Sequence, residues 1–522
     1  MASLKNTPAW KALQVHARET AKADMRTLFA RDRKRFERFS LAQGGLFLDY
    51  SKNRITAETM RLLTALAREA DVAGWRRRMA KGETVNQSEG RAALHMALRA
   101  NKGDGVGTKE TLARVLRERA RLKRFADDVH AGKRAGATGE RFRAAVVLGI
   151  GGSHRGPAMA VEALRPYRRP DFEVRFAANV DGAALARSLE DLDPETTLVI
   201  VSSKTFTTEE TMANARAARA WLAKSLGDKQ ALAHFAAVSA DNAAVDRFGV
   251  ACDDTFQIWD WVGGRFSLTS AVGLPVALAL SSKSFEALLA GARAMDRHFL
   301  TAPLAKNMPV VLALIDVWNS DFMGCSARAV VPYDEGLALF PAYVRQLEME
   351  SNGKPGGRGA APVVFGEAGT GAQHEFFQAL HQGPDAVPCD FIAARESHDR
   401  IGDHHQRLLA NMLAQAESLM LGRDAKDKAR AFPGNRPSNV ILLDALDPFS
   451  LGQLVALHEH KTFVEGVLWG LNPFDQWGVE LGKELAAAIL PELKGKPAKA
   501  RHDGSTAGLI HRLRKKKNAR RP

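Results

Sequence analysis

Several short polar segments of this sequence carry the residue types that hold anions and move protons. Ser203, Lys204, Thr205, Thr207 and Thr208 place one lysine and four hydroxyls in a single loop before a helical stretch, a donor set suited to a dianion such as phosphate. The competing reading is helix capping, since Thr207 and Glu210 have the spacing of a capping box; capping would need one hydroxyl rather than four. Gln346 and Glu350 lie four apart in a helical pattern and so share a face. That face is either a base with a neighbouring ligand or an ordinary solvated surface. Arg265 follows two glycines in GGRFS. A cation there can stabilise a developing negative charge or end in a surface ion pair.

His374 stands beside Gln373, at the expected start of a helix that follows a glycine-rich loop. It is either a proton carrier or a structural histidine. Lys483 ends the string FDQWGVELGK, which also holds Gln476; a lysine closing a helix can equally serve the helix dipole. Gly149, Gly151 and Gly152 precede Ser153 in LGIGGS, where glycines allow close backbone approach to a ligand. A nicotinamide site is rejected, because no oxidoreductase substrate motif accompanies that loop. His458 and His460 flank Glu459 in HEHK. The HExxH spacing is absent, and residues two apart on a helix do not face each other, so no metal site is expected.

The elements that must position these residues alternate between strand and helix. AAVVLGI from Ala144 and TLVIVSS from Thr197 are short apolar runs suited to buried parallel strands, each leading into a loop and a helix. A second block from Met308 repeats the pattern through ARAVV, PVVF, DFIAA and NVILL. Alternation of this kind predicts α/β sheets with right-handed crossovers. Residues 1–105 read as helical, with a capping pattern at Asn86 and Glu89 opening NQSEGRAALHMALR. The Gly- and Lys-rich stretch Asn101–Gly107 reads as a boundary.

The chain has 522 residues, 45% of them hydrophobic, enough for a large core and more than one domain. Net charge is +15, concentrated in RDRKRFERF, in RVLRERARLKRF and in the tail HRLRKKKNARRP. That excess favours anions, but no zinc finger, RNA-binding signature or aromatic stripe accompanies it, so no specific nucleic acid is expected. Cys252, Cys325 and Cys389 have neither CxxC nor ligand spacing, and their odd number argues against a disulfide framework. With no signal-like N-terminus and no apolar run of about 18 residues, a cytoplasmic protein without a membrane partner is expected.

Six strings, LGIGGSHRGP, SSKTFTTEET, GGRFSLTSAVGLP, QLEMESNGK, the Ala361–Gly383 segment and FDQWGVELGK, occur in the order they take in the glucose-6-phosphate isomerase family. The chain resembles that family from DYSKN at Asp49 to HDGSTAGLI near its end. The resemblance implies an α/β fold of two sugar-isomerase-type domains, each a mainly parallel sheet flanked by helices. The expected partition is an N-terminal helical region, 1–105, packing on the large domain, a first (small) domain, 106–285, a second (large) domain, 286–483, and a C-terminal helical arm with a basic tail, 484–522. It implies reversible isomerisation of glucose 6-phosphate and fructose 6-phosphate through a cis-enediol(ate), without metal or cofactor. Glu350 would be the base, Arg265 the enediolate's cation, and His374 with Lys483 the ring-opening pair. Gly152, Ser153, Ser203, Lys204, Thr205, Thr208, Gln346 and Gln476 would bind substrate. A homodimer sharing His374 across its interface is implied as well. The chain departs from the family at Phe266, commonly Tyr, and at Gly371–Ala372, commonly Asn-Gly. A non-catalytic sugar-phosphate sensor on the same fold would lose Glu350 or Lys483, and both are present.

Overall fold

The structure is a computed structural model that describes residues 4–355, 360–498 and 501–514. Contacts divide it into two compact units, Met1–Phe474 and Asp475–Pro522. The second unit begins upstream of the boundary expected at 484.

The first unit holds two sheets. Five strands, β3 (Ala144–Leu148), β4 (Glu173–Ala177), β5 (Thr197–Ser202), β6 (Phe235–Ser239) and β7 (Thr255–Gln257), run parallel in the order β4-β3-β5-β6-β7. β3 and β5 are buried at every residue. Helices cover both faces of such a sheet, which is why these strands read as unbroken apolar runs rather than as alternation.

The second sheet has the order β1-β2-β11-β10-β8-β9. Its parallel part comprises β8 (Ala327–Pro332), β9 (Val363–Phe365), β10 (Cys389–Glu396) and β11 (Ser438–Ala445). All four coincide with the strand-like segments of the second block. Its antiparallel edge is the hairpin β1 (Ser40–Gln43) and β2 (Leu46–Asp49), with β2 paired to β11.

That hairpin corrects the helical reading of residues 1–105. Gly44 and Gly45 take φ of +58° and +91°, as a two-residue hairpin turn requires. NQSEGRAALHMALR is not a helix either. It forms two short 3₁₀ turns, Gln87–Glu89 and His95–Arg99, and the Asn86 amide donates to the Glu89 carboxylate at 2.6 Å instead of capping backbone. Arg99 is drawn away from helical order by a buried ion pair. Its guanidinium donates to Asp296 at 2.7 Å and to Glu459 at 2.6 Å.

Helix Pro448–Trp469 is buried along almost its whole length and packs against helices Ser282–Thr301, Met308–Val317 and Phe340–Asn352. The three cysteines are free thiols, Cys252 exposed and the others buried. Among the described residues no helix is long and apolar enough to cross a membrane. Of the basic tail, residues 515–522 lie outside the described residues.

Candidate active site

The chain enters the first sheet at β3, adds β4 on one side and then crosses to β5 on the other. The strand order therefore switches direction between β3 and β5, the kind of point beyond whose carboxyl ends open α/β sheets bind ligands. The loops leaving those two ends are Gly149–Ser153 and Ser203–Thr208. Both expected phosphate loops thus leave adjacent strands at the switch point.

Gly151 has φ +59° and ψ −124°, a conformation that side chains other than glycine's resist. Gly152 then opens helix Gly152–Ala163. A Cβ on Gly152 would sit 2.1 Å from the Gly264 carbonyl and 2.7 Å from the Arg265 nitrogen, and one on Gly151 would sit 3.2 Å from Gln346 Nε2. The glycine loop is therefore pressed between the arginine turn, Gly264–Phe266, and helix Phe340–Asn352. Ser153 lies in the first turn of its helix.

The hydroxyl loop does not cap its helix. Thr208 is the residue before Glu209–Leu226 and makes no side-chain cap bond. Its Oγ1 lies 3.1 Å from Ser203 Oγ, and Thr207 Oγ1 donates to Thr205 Oγ1 at 2.8 Å. The competing capping box of Thr207 and Glu210 is not made, and these hydroxyls associate with one another at the helix N-terminus. Phe206 sits in left-handed backbone, φ +52°, at a cost of about 1–2 kcal/mol. Burial of its ring edge-on to Phe248 holds it there. Lys204 Nζ donates to the carbonyls of Asp260 at 2.7 Å and Val262 at 3.0 Å. Burial, and secondarily Arg91, holds that ammonium below the usual lysine value. Lys204 thus ties the hydroxyl loop to the turn that carries Arg265.

Gln346 and Glu350 share a face as expected, with Gln346 Nε2 donating to Glu350 Oε2 at 2.9 Å. The other carboxylate oxygen, Oε1, faces Arg265 Nη1 at 3.6 Å. The arginine side chain is 1% exposed and the glutamate 26%. A buried, fixed cation therefore stands beside a carboxylate that solvent and a ligand can still reach. Arg265 Nε donates to Ser351 Oγ and Nη2 to the Pro473 carbonyl, each at 2.5 Å.

The rear of the same helix is anchored in a buried charge cluster absent from the expected site. Glu348 accepts from Arg328 and, at 3.1 Å, from Lys461. Arg328 also meets Asp390 at 2.7 Å and Asp316 at 3.1 Å, while Lys461 meets Asp316 at 2.5 Å and Glu465 at 2.6 Å. Burial opposes charge on Glu348, but Arg328 and Lys461 outweigh it and hold the carboxyl below its ordinary range. Burial pushes Glu465 well above that range. Oxygens of Asp316, Glu348 and Glu465 lie within 4.8 Å of one another, close enough for a cation, and the Lys461 ammonium occupies that place. HEHK divides accordingly. His458 lies 3.7 Å from Glu348, and His460 bonds Asp296 at 2.6 Å on another side.

Gln373 and His374 are not bonded to this cluster among the described residues. Gln373 ends the short helix Gly369–Gln373 rather than opening a longer one, and its amide donates to Tyr333 Oη at 2.7 Å. His374 follows it, exposed, and its imidazole has no partner among the described residues. In the second unit, Lys483 lies in the first turn of helix Glu480–Leu493, with its ammonium 2.8 Å from Glu480 Oε1. That corrects the dipole alternative, because the first turn is where a cation is disfavoured. Gln476 precedes the turn Trp477–Val479.

A family model described as phosphoglucose isomerase matches residues 49–510. A glucose-6-phosphate isomerase of Dechloromonas aromatica is 50% identical over 528 residues, covering 98% of this chain and 99% of that protein. One from Anaeromyxobacter dehalogenans is 49% identical, covering 98% and 97%. The crystal structure of a glucose-6-phosphate isomerase from Chlamydia trachomatis superposes with a TM-score of 0.87 at 32% identity, covering 98% of this chain and all of that one.

Proposed function

The chain belongs to the phosphoglucose isomerase family, and on that premise we propose how its residues divide the work of the reaction. The reaction is the reversible interconversion of glucose 6-phosphate and fructose 6-phosphate, a step of glycolysis and gluconeogenesis. It shifts hydrogen between C1 and C2 of one molecule, so no external oxidant is consumed. Glu350 removes the C2 proton of the open-chain aldose and returns it to C1. Arg265 stabilises the negative charge of the cis-enediolate between those steps. Gln346 orients substrate beside the base. Ser203, Lys204, Thr205 and Thr208, with the backbone at Gly152 and Ser153, hold the phosphate. His374 and Lys483 open the sugar ring. For Lys483 and Gln476 the support is their place in FDQWGVELGK alone. The observation that carries the reading is the 3.6 Å apposition of buried Arg265 and accessible Glu350. A coupled assay that follows glucose 6-phosphate formed from fructose 6-phosphate tests it, and no conversion by the folded protein would refute it.

The same proposal takes each mainly parallel sheet with its helices as one sugar-isomerase-type domain, with boundaries at 105/106, 285/286 and 483/484. It places the protein in the cytosol, which the free thiols suit.

Lys204→Ala with Thr208→Ala lowers kcat/KM by about 100-fold or more, since charge-assisted bonds contribute about 1.5–3 kcal/mol each. Both KM and kcat change, because binding energy at the phosphate orients the reacting end and Lys204 also braces the arginine turn. Unaltered kinetics would place the phosphate elsewhere.

The assembly proposed is a C2 homodimer in which His374 completes the partner's site. Its exposed imidazole, without a partner among the described residues, supports this. Mixing inactive Glu350→Gln and His374→Ala subunits puts both lesions in one site of a mixed dimer and neither in the other. Up to half of the wild-type activity then returns in the mixed species. Demonstrated subunit exchange without recovery of activity rules out a shared site.

A further inference from the structure

Resting on that reading of the site, we propose that Ser351 is the positioning residue that holds the Arg265 guanidinium in register with Glu350. Ser351 is wholly buried, and its Oγ accepts the Arg265 Nε–H at 2.5 Å. A hydroxyl in such a place costs free energy unless it is bonded, so a structural filler there would be alanine. The two groups whose geometry matters are thereby tied through one peptide unit. Glu350 faces Arg265 Nη1, and the next residue of the same helix grips Nε.

Two further restraints on this arginine lie on other elements. Its backbone is fixed by the contact of Gly264 with Gly152, and Nη2 is bound by the Pro473 carbonyl. Ser351 lies on the base's own helix, and that helix is held from behind by Glu348 and by the Asn352 amide on the Thr462 carbonyl at 2.9 Å. An approach of substrate that shifts this helix therefore shifts the arginine's anchor by the same amount. The cation stays aimed where charge develops.

Ser351→Ala removes the acceptor and leaves the site otherwise complete. The expected result is a folded enzyme whose kcat falls about 10- to 100-fold, the scale of a small misplacement of a catalytic group, with KM nearly unchanged. In an Arg265→Met background the same change has little further effect, because a residue acting through Arg265 has nothing left to act on. If Ser351→Ala does not fold, Ser351→Cys, with a weak acceptor of similar size, carries the same test with a smaller loss. Full kcat in Ser351→Ala overturns the proposal while leaving Arg265 and Glu350 in their roles. So does a loss that adds in full to that of Arg265→Met, since Ser351 would then act on the fold. Full turnover in Arg265→Met itself overturns the reading of the site as well.

Discussion

Glu350→Gln binds glucose 6-phosphate nearly as the native enzyme does and isomerises it about 10²–10⁴-fold more slowly or worse, the usual cost of losing a general base. The amide keeps the shape of the side chain, so the phosphate loops and Gln346 are undisturbed. It removes the only lone pair able to take the C2 proton in this proposal. The substitution also leaves Arg265 without its carboxylate neighbour, so substrate binding is the internal check that the site remains assembled. Exchange of the C2 hydrogen with solvent deuterium is the direct readout. A variant that still washes deuterium into the sugar at the native rate would place the base on another residue.

Arg328→Met destabilises the fold by about 3–5 kcal/mol or more, the cost of leaving a buried charge unpaired. Three carboxylates face this one guanidinium, Asp316, Glu348 and Asp390, and all are buried. Lys461 serves two of them and also Glu465, so it cannot neutralise what Arg328 leaves. Methionine fills much of the space and supplies no donor. The measurement is urea unfolding with the m-value monitored. Unchanged stability would mean that the carboxylates take up protons at little cost. Partial recovery by Glu348→Gln in the same chain would identify Glu348 as the main unpaired charge.

How much of this was legible in the sequence differs from element to element. β3, β5, β8, β10 and β11 are legible because a parallel strand covered on both faces has to be apolar throughout. The helical phase of Gln346 and Glu350 is legible from spacing alone, and so is the hydroxyl loop. The hairpin at Ser40–Asp49 is not read, although Gly44-Gly45 between LAQ and LFL is a hairpin signal; its surroundings are helical, and the strand's partner, β11, lies far along the chain. NQSEGRAALHMALR has helical periodicity, but Arg99 answers to Asp296 and Glu459 instead.

By itself the sequence determined the strands β3, β5, β8, β9, β10 and β11, the loops that end at the switch point, and, through its six ordered strings, the family and reaction. Only the tertiary structure decided which groups the polar residues in those strings meet. Glu348 and Glu350 stand two apart in QLEMESNGK, so on a helix they point about 200° apart. Nothing local says which is buried among charges and which stays accessible. Arg328 and Lys461 face Glu348 and Arg265 faces Glu350, and all three are distant in sequence. Ser351 is likewise an ordinary helix residue until Arg265 is folded onto it. Local periodicity encodes the direction of a side chain, whereas its charge state and role depend on burial and on the groups across the gap, and these exist only once distant segments have packed together.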